Sequence, residues 1–337
     1  MKIVKLLILQ LLKLLGFFMY MRWKSRQGVR ILCYHGIWLG GEGYPGDGMF
    51  MKQSTFEARL DCLLKWHFPI ISLDKAITDF SKNELQPCSV VITIDDGWYG
   101  TYAAMLPALK HRGMQATLYC DTAHLLTRQA VPHVMARYIR LLVEHGYVGN
   151  TRVLSDAQKK LYESAILQSG DTVERLNNVR IFASSVSFDF DNYLDKKVFN
   201  YMLPEQLKEA HSAGLDVQLH THNHSMHDMS ETAFVREIDE NRFHLSQTLK
   251  TNTESFRHYC YPSGCFSRSL DGVIGGIGIL SSTTTEQSIA YPGTNIQFLP
   301  RILDGENVST LEFEAELCGV MDFLRKFRKT KNTCGNV

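Results

Sequence analysis

Val90-Val91-Ile92-Thr93-Ile94-Asp95-Asp96-Gly97 is the stretch from which the fold can be read. Its first five residues are all β-branched and leave no polar side to face water, the pattern of a strand buried on both faces of a parallel sheet. Two carboxylates follow at once, then a glycine. Carboxylates at the rim of a core need a cation, a partner or a raised pKa. Successive side chains on a strand point opposite ways, so Asp95 and Asp96 meet different surroundings. A plain Asp-Asp-Gly turn fits the same residues, and only partners elsewhere in the chain can separate the two readings.

Outward from that strand the chain alternates. Val29–Tyr34 reads as an earlier strand that delivers His35 into a Gly-rich loop running to Gly48. Ser54-Thr-Phe-Glu57 has the form of a capping box, and the helix it opens carries Phe56, Leu60, Leu63 and Leu64 on one face. A helix around Tyr102–His111 and a strand over Gln115–Cys120 follow, and strand, helix, strand at this spacing implies parallel pairing. From Asp121 to Gly214 no strand is compelling, while helices are predicted at Val131–His145, Ser155–Leu167 and Pro204–Ala213. This reads as an insertion, at about 122–203, in one strand-to-helix loop, where barrel enzymes build specificity. Its Phe188-Asp-Phe-Asp-Asn-Tyr193 segment reads as a solvated loop, with contact to sugar rings as the alternative. Alternation resumes with a strand at Asp216–Leu219 and a helix, capped by Ser230, from Glu231 to about Leu249. Strands at Phe256–Tyr261, Ile277–Ser281 and Phe298–Ile302 bring the total to seven.

Composition bounds the function. The 337 residues suffice for two ordinary domains or one large α/β barrel, and 45% hydrophobic with 21% charged residues is an ordinary globular balance. A formal charge of +1 without a basic stripe argues against nucleic acid as a partner. Eight cysteines without a CxxC pair argue against a zinc-cysteine site and read as reduced core thiols, which fits a reducing compartment.

Residues 1–24 stand apart. Lys2–Tyr20 is Leu-rich but interrupted by Gln10 and Lys13, and no small-residue cleavage site follows, so an uncleaved anchor fits better than a removed signal peptide. Lys2, Lys5, Gln10, Lys13 and Gly16 fall within one arc of a helical wheel, with Leu6 and Leu9 intruding. That pattern permits a helix lying in the membrane interface; the alternative is a short spanning helix with a costly central lysine. The flanking positive charges favour a catalytic domain on the cytoplasmic face.

The polar residues of interest share one address. His35, Asp95, Asp96, His220, His224, Tyr261, Pro262 and Arg301 all lie at or just past the carboxyl ends of expected strands, where parallel α/β folds place their sites. A catalytic zinc-like ion takes three protein ligands and keeps a position open, and one Asp with two His meets that need. His220 and His224, four residues apart across a strand end, can converge on one ion; His211, His222 and His227 read as structural.

Thr93-Ile-Asp95-Asp96-Gly97, His220-Thr-His-Asn-His224 and Tyr261-Pro-Ser-Gly264 together resemble the successive motifs of the polysaccharide deacetylase family, also called the NodB-homology or carbohydrate esterase family 4 enzymes. The resemblance covers roughly His35 to Ile302 and leaves the insertion unmatched. It implies a distorted (β/α)7 barrel with a long helical insertion over residues 29–325, followed by a tail at 326–337. It also implies one divalent metal ion, Zn2+ with Co2+ or Ni2+ as alternatives, used to remove N-acetyl groups from a glycan. Carried over by position, Asp95 is the general base, Asp96, His220 and His224 are the metal ligands, and a backbone N–H of Tyr261 or a neighbour stabilises the oxyanion. Two departures stand out. Cys260 occupies the place of an arginine found in many members, so Arg301 is expected to orient Asp95. No histidine follows His258, whereas Cys33-Tyr-His35-Gly resembles the amino-terminal Tyr-His of the circularly permuted exopolysaccharide deacetylases, which makes His35 the expected general acid. The resulting expectation is a membrane-associated, metal-dependent deacetylase of N-acetylated amino sugars. A hydrolase of another C–N bond, such as a formamide or cyclic amide, and a glycan-binding protein without turnover are the alternatives.

Overall fold

The structure is a computed structural model that describes residues 2–41, 43–44, 46–167, 170–226, 229–266 and 270–329. Nine strands occur among them: β1 (Arg30–Tyr34), β2 (Gly36–Ile37), β3 (Phe50–Met51), β4 (Val90–Asp96), β5 (Thr117–Cys120), β6 (Asp216–Leu219), β7 (His258–Cys260), β8 (Ser281–Gln287) and β9 (Leu299–Leu303). β1 and β4 to β9 pair in chain order, every neighbour parallel, and close into a seven-stranded barrel where Leu32 of β1 meets Ile302 of β9. Parallel neighbours require crossovers, and the intervening helices supply them on the outside of the barrel.

The central stretch explains this closure. All seven residues of β4 are buried. Val90, Ile92 and Ile94 join the core between barrel and helices, with Phe56, Leu60, Leu63 and Leu118. Val91 joins a separate cluster with Ile31, Tyr119, Cys260 and Leu299. Thr93 and Asp95, two and four residues on from Val91, share its side of the strand and both bond to Arg301 of β9. The two-residue period thus sends Asp95 inside the barrel and leaves Asp96 at its rim.

Several sequence expectations shift. The sixth barrel strand is Ser281–Gln287, not Ile277–Ser281, because Ile277 caps the helix Asp271–Gly276. Ser281, Ser282, Thr283 and Thr284 look polar but are all buried in the sheet, where β-branched threonine suits the strand. The helix expected to start with Ser54 runs from Gln53 to Lys65 without a side-chain cap on its first residue. Glu306 replaces the capping box, accepting from the Lys52 N–H and the Thr55 hydroxyl, both at 3.0 Å. The short β2–β3 sheet and the helix Leu73–Lys82, which Ser72 caps, escape the sequence reading.

The insertion between β5 and β6 is helical as expected, with Pro132–Glu144, Asp156–Ile166 and Pro204–Ser212 close to the expected spans. Helices Thr122–Thr127, Thr172–Ser185 and Phe190–Asp195 add to it. Phe188 and Phe190 are neither a solvated loop nor a sugar platform: both are buried in a second core with Val134, Tyr138, Phe182 and Phe199. A polar-looking loop conceals them because Asp189 is spent as a helix cap, accepting from the Asn192 N–H.

At the amino terminus the structure has two helices, Lys2–Leu14 and Phe17–Lys24, bent by 79°. No single described helix is long and apolar enough to cross a membrane, although this bent pair has the length and composition together. The lysine arc turns toward the protein: Lys2 donates to the Asn307 carbonyl at 3.0 Å, Lys5 pairs with Glu312 at 2.7 Å and Lys13 with Glu314 at 2.5 Å. Leu9 is buried alongside with Phe18 and Met21 against Ala315, Cys318 and Val320. Ile3, Val4, Leu7, Ile8, Leu11, Leu14 and Leu15 are left exposed. At the other end, helix Val320–Lys329 runs past the expected tail boundary at 326, and residues 330–337 lie outside the described residues.

Gly97 ends β4 at φ 113°, where a Cβ would also lie 3.1 Å from the Cys120 sulfur. Gly97→Ala is therefore expected to destabilise the protein by about 1–3 kcal/mol, read as a lower urea midpoint with an unchanged slope.

Candidate active site

The carboxyl ends of the strands gather the site. His35 follows β1, Asp95 and Asp96 end β4, His220 follows β6, Pro262 and Ser263 follow β7, and Arg301 lies in β9. Arg301 and Asp95 form a two-pronged ion pair, Nη1 to Oδ1 and Nη2 to Oδ2, both at 2.7 Å. Both side chains are essentially without solvent contact. Burial alone would raise the Asp95 pKa, but the charge and hydrogen bonds of Arg301 outweigh it and bring it down to about 2. The Oδ2 atom faces further groups: the thiols of Cys33 and Cys260, each at 3.6 Å, and His35 Nε2 at 3.8 Å. His35 Nδ1 is buried without a hydrogen-bond partner among the described residues.

Asp96 is arranged differently. The Trp98 indole N–H donates to Oδ2 at 2.7 Å, which turns Oδ1 toward His224 Nε2 at 3.2 Å and His220 Nε2 at 3.3 Å. His220 Nδ1 lies 2.8 Å from the Cys260 carbonyl. That acceptor takes the Nδ1 proton, so Nε2 is the nitrogen that His220 would present to a bound ion. Asn241 fixes the same loop by accepting from the His220 N–H at 3.0 Å. Donor atoms of Asp96, His220 and His224 all lie within 4.8 Å of one another. One carboxylate and two imidazoles, with Asp96 held by Trp98 and His220 by the Cys260 carbonyl, fit a divalent ion of the zinc type. Burial would raise the Asp96 pKa, but the imidazoles of His220 and His224 hold it well below the usual carboxylate range.

Tyr261 is placed for packing. Its N–H donates to the Thr283 carbonyl at 3.1 Å within the sheet, and its ring stacks on Phe298 at 5.8 Å. The Tyr261 N–H is already spent on the sheet, which leaves a neighbour for the expected oxyanion contact. Pro262 has no N–H, so the next along the chain belongs to Ser263, which lines the site cavity in a left-handed conformation at φ 55°. Of the other histidines, His211 Nδ1 lies 3.2 Å from the Leu215 carbonyl and His222 Nδ1 lies 2.8 Å from the Thr122 hydroxyl, both apart from the cluster. His227 lies outside the described residues.

A cavity of about 370 Å3 opens over Asp96 and His224. Its far wall comes from the insertion, with His124, His133, Arg137, Arg175 and Tyr201. Sequence reasoning missed all five, because only folding brings them to the barrel mouth. His124 stacks on Tyr201 at 5.0 Å and pairs with buried Asp121 at 2.9 Å. The Asp121-x-x-His124 spacing just after β5 was the available signal. His133 is pushed down to about 4, first by burial and then by the positive charges of His124, Arg175, His224 and Arg137.

Comparison with known proteins agrees with this architecture. The polysaccharide deacetylase profile matches residues 82–279. No curated protein sequence matches the chain. Among solved structures, the Streptococcus pyogenes deacetylase PplD, determined with acetate, aligns with a TM-score of 0.59 at 18% identity, over 86% of this chain and 98% of that one. IcaB from Ammonifex degensii gives 0.55 at 18% identity over 86% and 97%. A de-N-acetylase from Aggregatibacter actinomycetemcomitans gives 0.56 at 12% identity over 86% and 99%. At these identities the likeness is one of fold.

The Arg301–Asp95 pair yields a stability test. Arg301→Met leaves a buried carboxylate alone and is expected to cost about 3–5 kcal/mol at neutral pH. Asp95 then loses the interaction that depressed its pKa, so the deficit should shrink as the pH falls and the carboxyl protonates. Thermal unfolding at several pH values checks both the size and the sign.

Proposed function

The chain belongs to the polysaccharide deacetylase family, hydrolases that remove N-acetyl groups from glycans, and on that premise we propose a metal-dependent N-deacetylase of amino sugars in a glycan at a membrane surface. The observation that carries the reading is the pairing of two adjacent acids with two different environments, Asp95 clamped by Arg301 and Asp96 shared by His220 and His224.

Asp96, His220 and His224 are the residues that would hold the ion, Zn2+ by preference with Co2+ or Ni2+ as alternatives. When bound there, such an ion polarises the amide carbonyl and acidifies water. Asp95 is ionised throughout the neutral range and accepts the proton of the attacking water at Oδ2, the oxygen turned toward His35. Arg301 keeps that carboxylate in one orientation. The Ser263 N–H lies at the cavity edge as donor to the oxyanion that forms as the carbonyl is attacked. His35, beside Asp95 Oδ2, hands a proton to the departing amine.

The membrane part of the proposal rests on the amino-terminal helix. Its lysines face inward to Glu312 and Glu314, so the face left outward is almost wholly apolar and is followed by exposed Met19, Tyr20 and Trp23. An apolar face with aromatic residues at its edge suits the acyl and headgroup boundary of a bilayer.

Three outcomes test these roles. Mass spectrometry of N-acetylglucosamine oligomers should register loss of acetyl groups with metal-loaded protein and none after chelation; release of formyl groups or opening of small cyclic amides instead would favour the other C–N hydrolase. Asp95→Asn should abolish turnover while metal content survives, whereas His224→Ala should lose both, and equal metal loss in the two variants would contradict the division of labour. His35→Ala should slow turnover by about 10²–10⁴-fold with metal retained. For the membrane, Leu7→Glu with Leu15→Glu should weaken co-sedimentation with phosphatidylglycerol-phosphatidylcholine vesicles at least about tenfold. Unchanged sedimentation would remove the helix as the anchor.

A further inference from the structure

The insertion places cations over the active site that the deacetylation chemistry does not use. Arg175, in the first turn of helix Thr172–Ser185, and Arg137, on helix Pro132–Glu144, line the same cavity as Asp96 and His224. Arg175 has no carboxylate partner among the described residues. Its hydrogen-bonded neighbour is His133, with Nη2 3.4 Å from Nδ1, and its Nε is buried with no partner. An arginine that donates to Nδ1 fixes the neutral His133 tautomer with its remaining proton on Nε2, so the histidine is a further donor and not a counter-charge. Arg137 is more open to solvent, with its side chain 56% exposed. Its nearest acid, Asp47, lies 4.0 Å away and already accepts from Tyr44 at 2.9 Å, from the Met49 N–H at 3.1 Å and from Tyr138. His124 on the same wall is paired with Asp121 at 2.9 Å.

A guanidinium taken partly out of water without an acid costs free energy unless something else completes it. Its planar fork matches the oxygens of a carboxylate or a phosphate. The helix Pro132–Glu144 adds to this: it starts without a side-chain cap, and Val131, His133 and Val134 of its first turn line the cavity, so the positive end of its dipole lies there too. We infer that Arg175, with Arg137 beside it, binds an anionic substituent of the glycan, a phosphate or a carboxylate close to the N-acetylated sugar. This inference rests on the deacetylase reading above and narrows its substrate to an acidic saccharide. Both arginines come from the insertion and not from the barrel, which separates the selection of substrate from the reaction itself.

The test measures kcat/KM of the metal-loaded full chain on neutral N-acetylglucosamine oligomers, on N-acetylglucosamine phosphates and on oligomers that alternate N-acetylglucosamine with glucuronate. One charged series is expected to exceed the neutral one by about tenfold to a hundredfold, the range of a charge-assisted hydrogen bond, and the two charged arms separate phosphate from carboxylate. Arg175→Gln should remove most of that preference through KM, and Arg175→Lys should restore part of it. A preference that survives Arg175→Gln, or equal kcat/KM on all three series, overturns the inference. Calorimetric binding of the same sugars to the metal-free protein separates the two levels of the argument. Tight binding of a charged sugar that Arg175→Gln abolishes, with no acetyl released from any series, would sink the deacetylase reading and leave the anion site standing. Acetyl release without charge preference in either assay would sink the anion site alone.

Discussion

The buried ion pair between Arg301 and Asp95 is the interaction on which the rest of the site depends. β1 pairs with β4 on one side and with β9 on the other, so a contact from β4 to β9 crosses the strand between them. Residues 206 apart in sequence therefore meet only when the barrel has closed. Burying two charges is costly, and the mutual attraction seldom repays it with much to spare. Such a pair is better understood as a specification of geometry than as a source of stability: Asp95 is held by both oxygens and cannot rotate away. The same grip has a chemical consequence. A carboxylate brought down to about 2 is a poor acceptor for the proton of ordinary water, so the base role proposed for Asp95 calls for a more acidic water. The donor cluster of Asp96, His220 and His224, one residue further along the same strand, is where a cation would meet that demand.

Strain is concentrated at the same place. Asp96, Thr221, His224 and Ser263 all have positive φ without being glycine, at 76°, 63°, 51° and 55°. Such conformations cost on the order of 1–3 kcal/mol each and persist only where the surroundings impose them. Here the surroundings are visible: Trp98 on Asp96, Asn241 behind His220, and the sheet bond that holds Tyr261 ahead of Ser263. The turns after β4 and β6 bring donor atoms of Asp96, His220 and His224 within 4.8 Å of one another. The preorganisation that this achieves is the kind an electrostatic catalyst needs.

Much of this was legible in the residues. The unbroken β-branched run Val90–Ile94 announced a strand buried on both faces, and the two acids after it announced two environments. The strands that carry His35 and His220 just past their carboxyl ends could be found because short apolar stretches stop there at polar residues. Ser281–Gln287 was not found, since a buried Ser-Ser-Thr-Thr-Thr run carries no hydrophobic signal although its backbone is a barrel strand. Phe188 and Phe190 were misjudged because Asp189 between them is a helix cap and Asp191 an exposed neighbour, and sequence alternation could not say that the aromatic rings turn inward. The lysine arc of the first helix was seen, but not its direction. Its partners, Glu312 and Glu314, lie some three hundred residues away, and only the packed structure turns that arc toward the protein.

The far wall of the cavity follows the same logic. Residues on the barrel are tied to the sheet by register, so their positions can be argued from spacing. Arg137 and Arg175 are tied to the barrel chiefly through the insertion's own core, where Val134, Tyr138, Val179 and Phe182 pack together and meet Trp38 and Trp98 at the barrel mouth. Trp98 belongs to both sides, since its indole N–H holds Asp96 while its ring packs at 4.6 Å against Tyr201 of the insertion. One side chain thus couples the carboxylate of the candidate metal site to the placement of the wall that carries the arginines. The proposed anion site and the proposed reaction site thus lie on different parts of the chain and are joined in space through this aromatic seam.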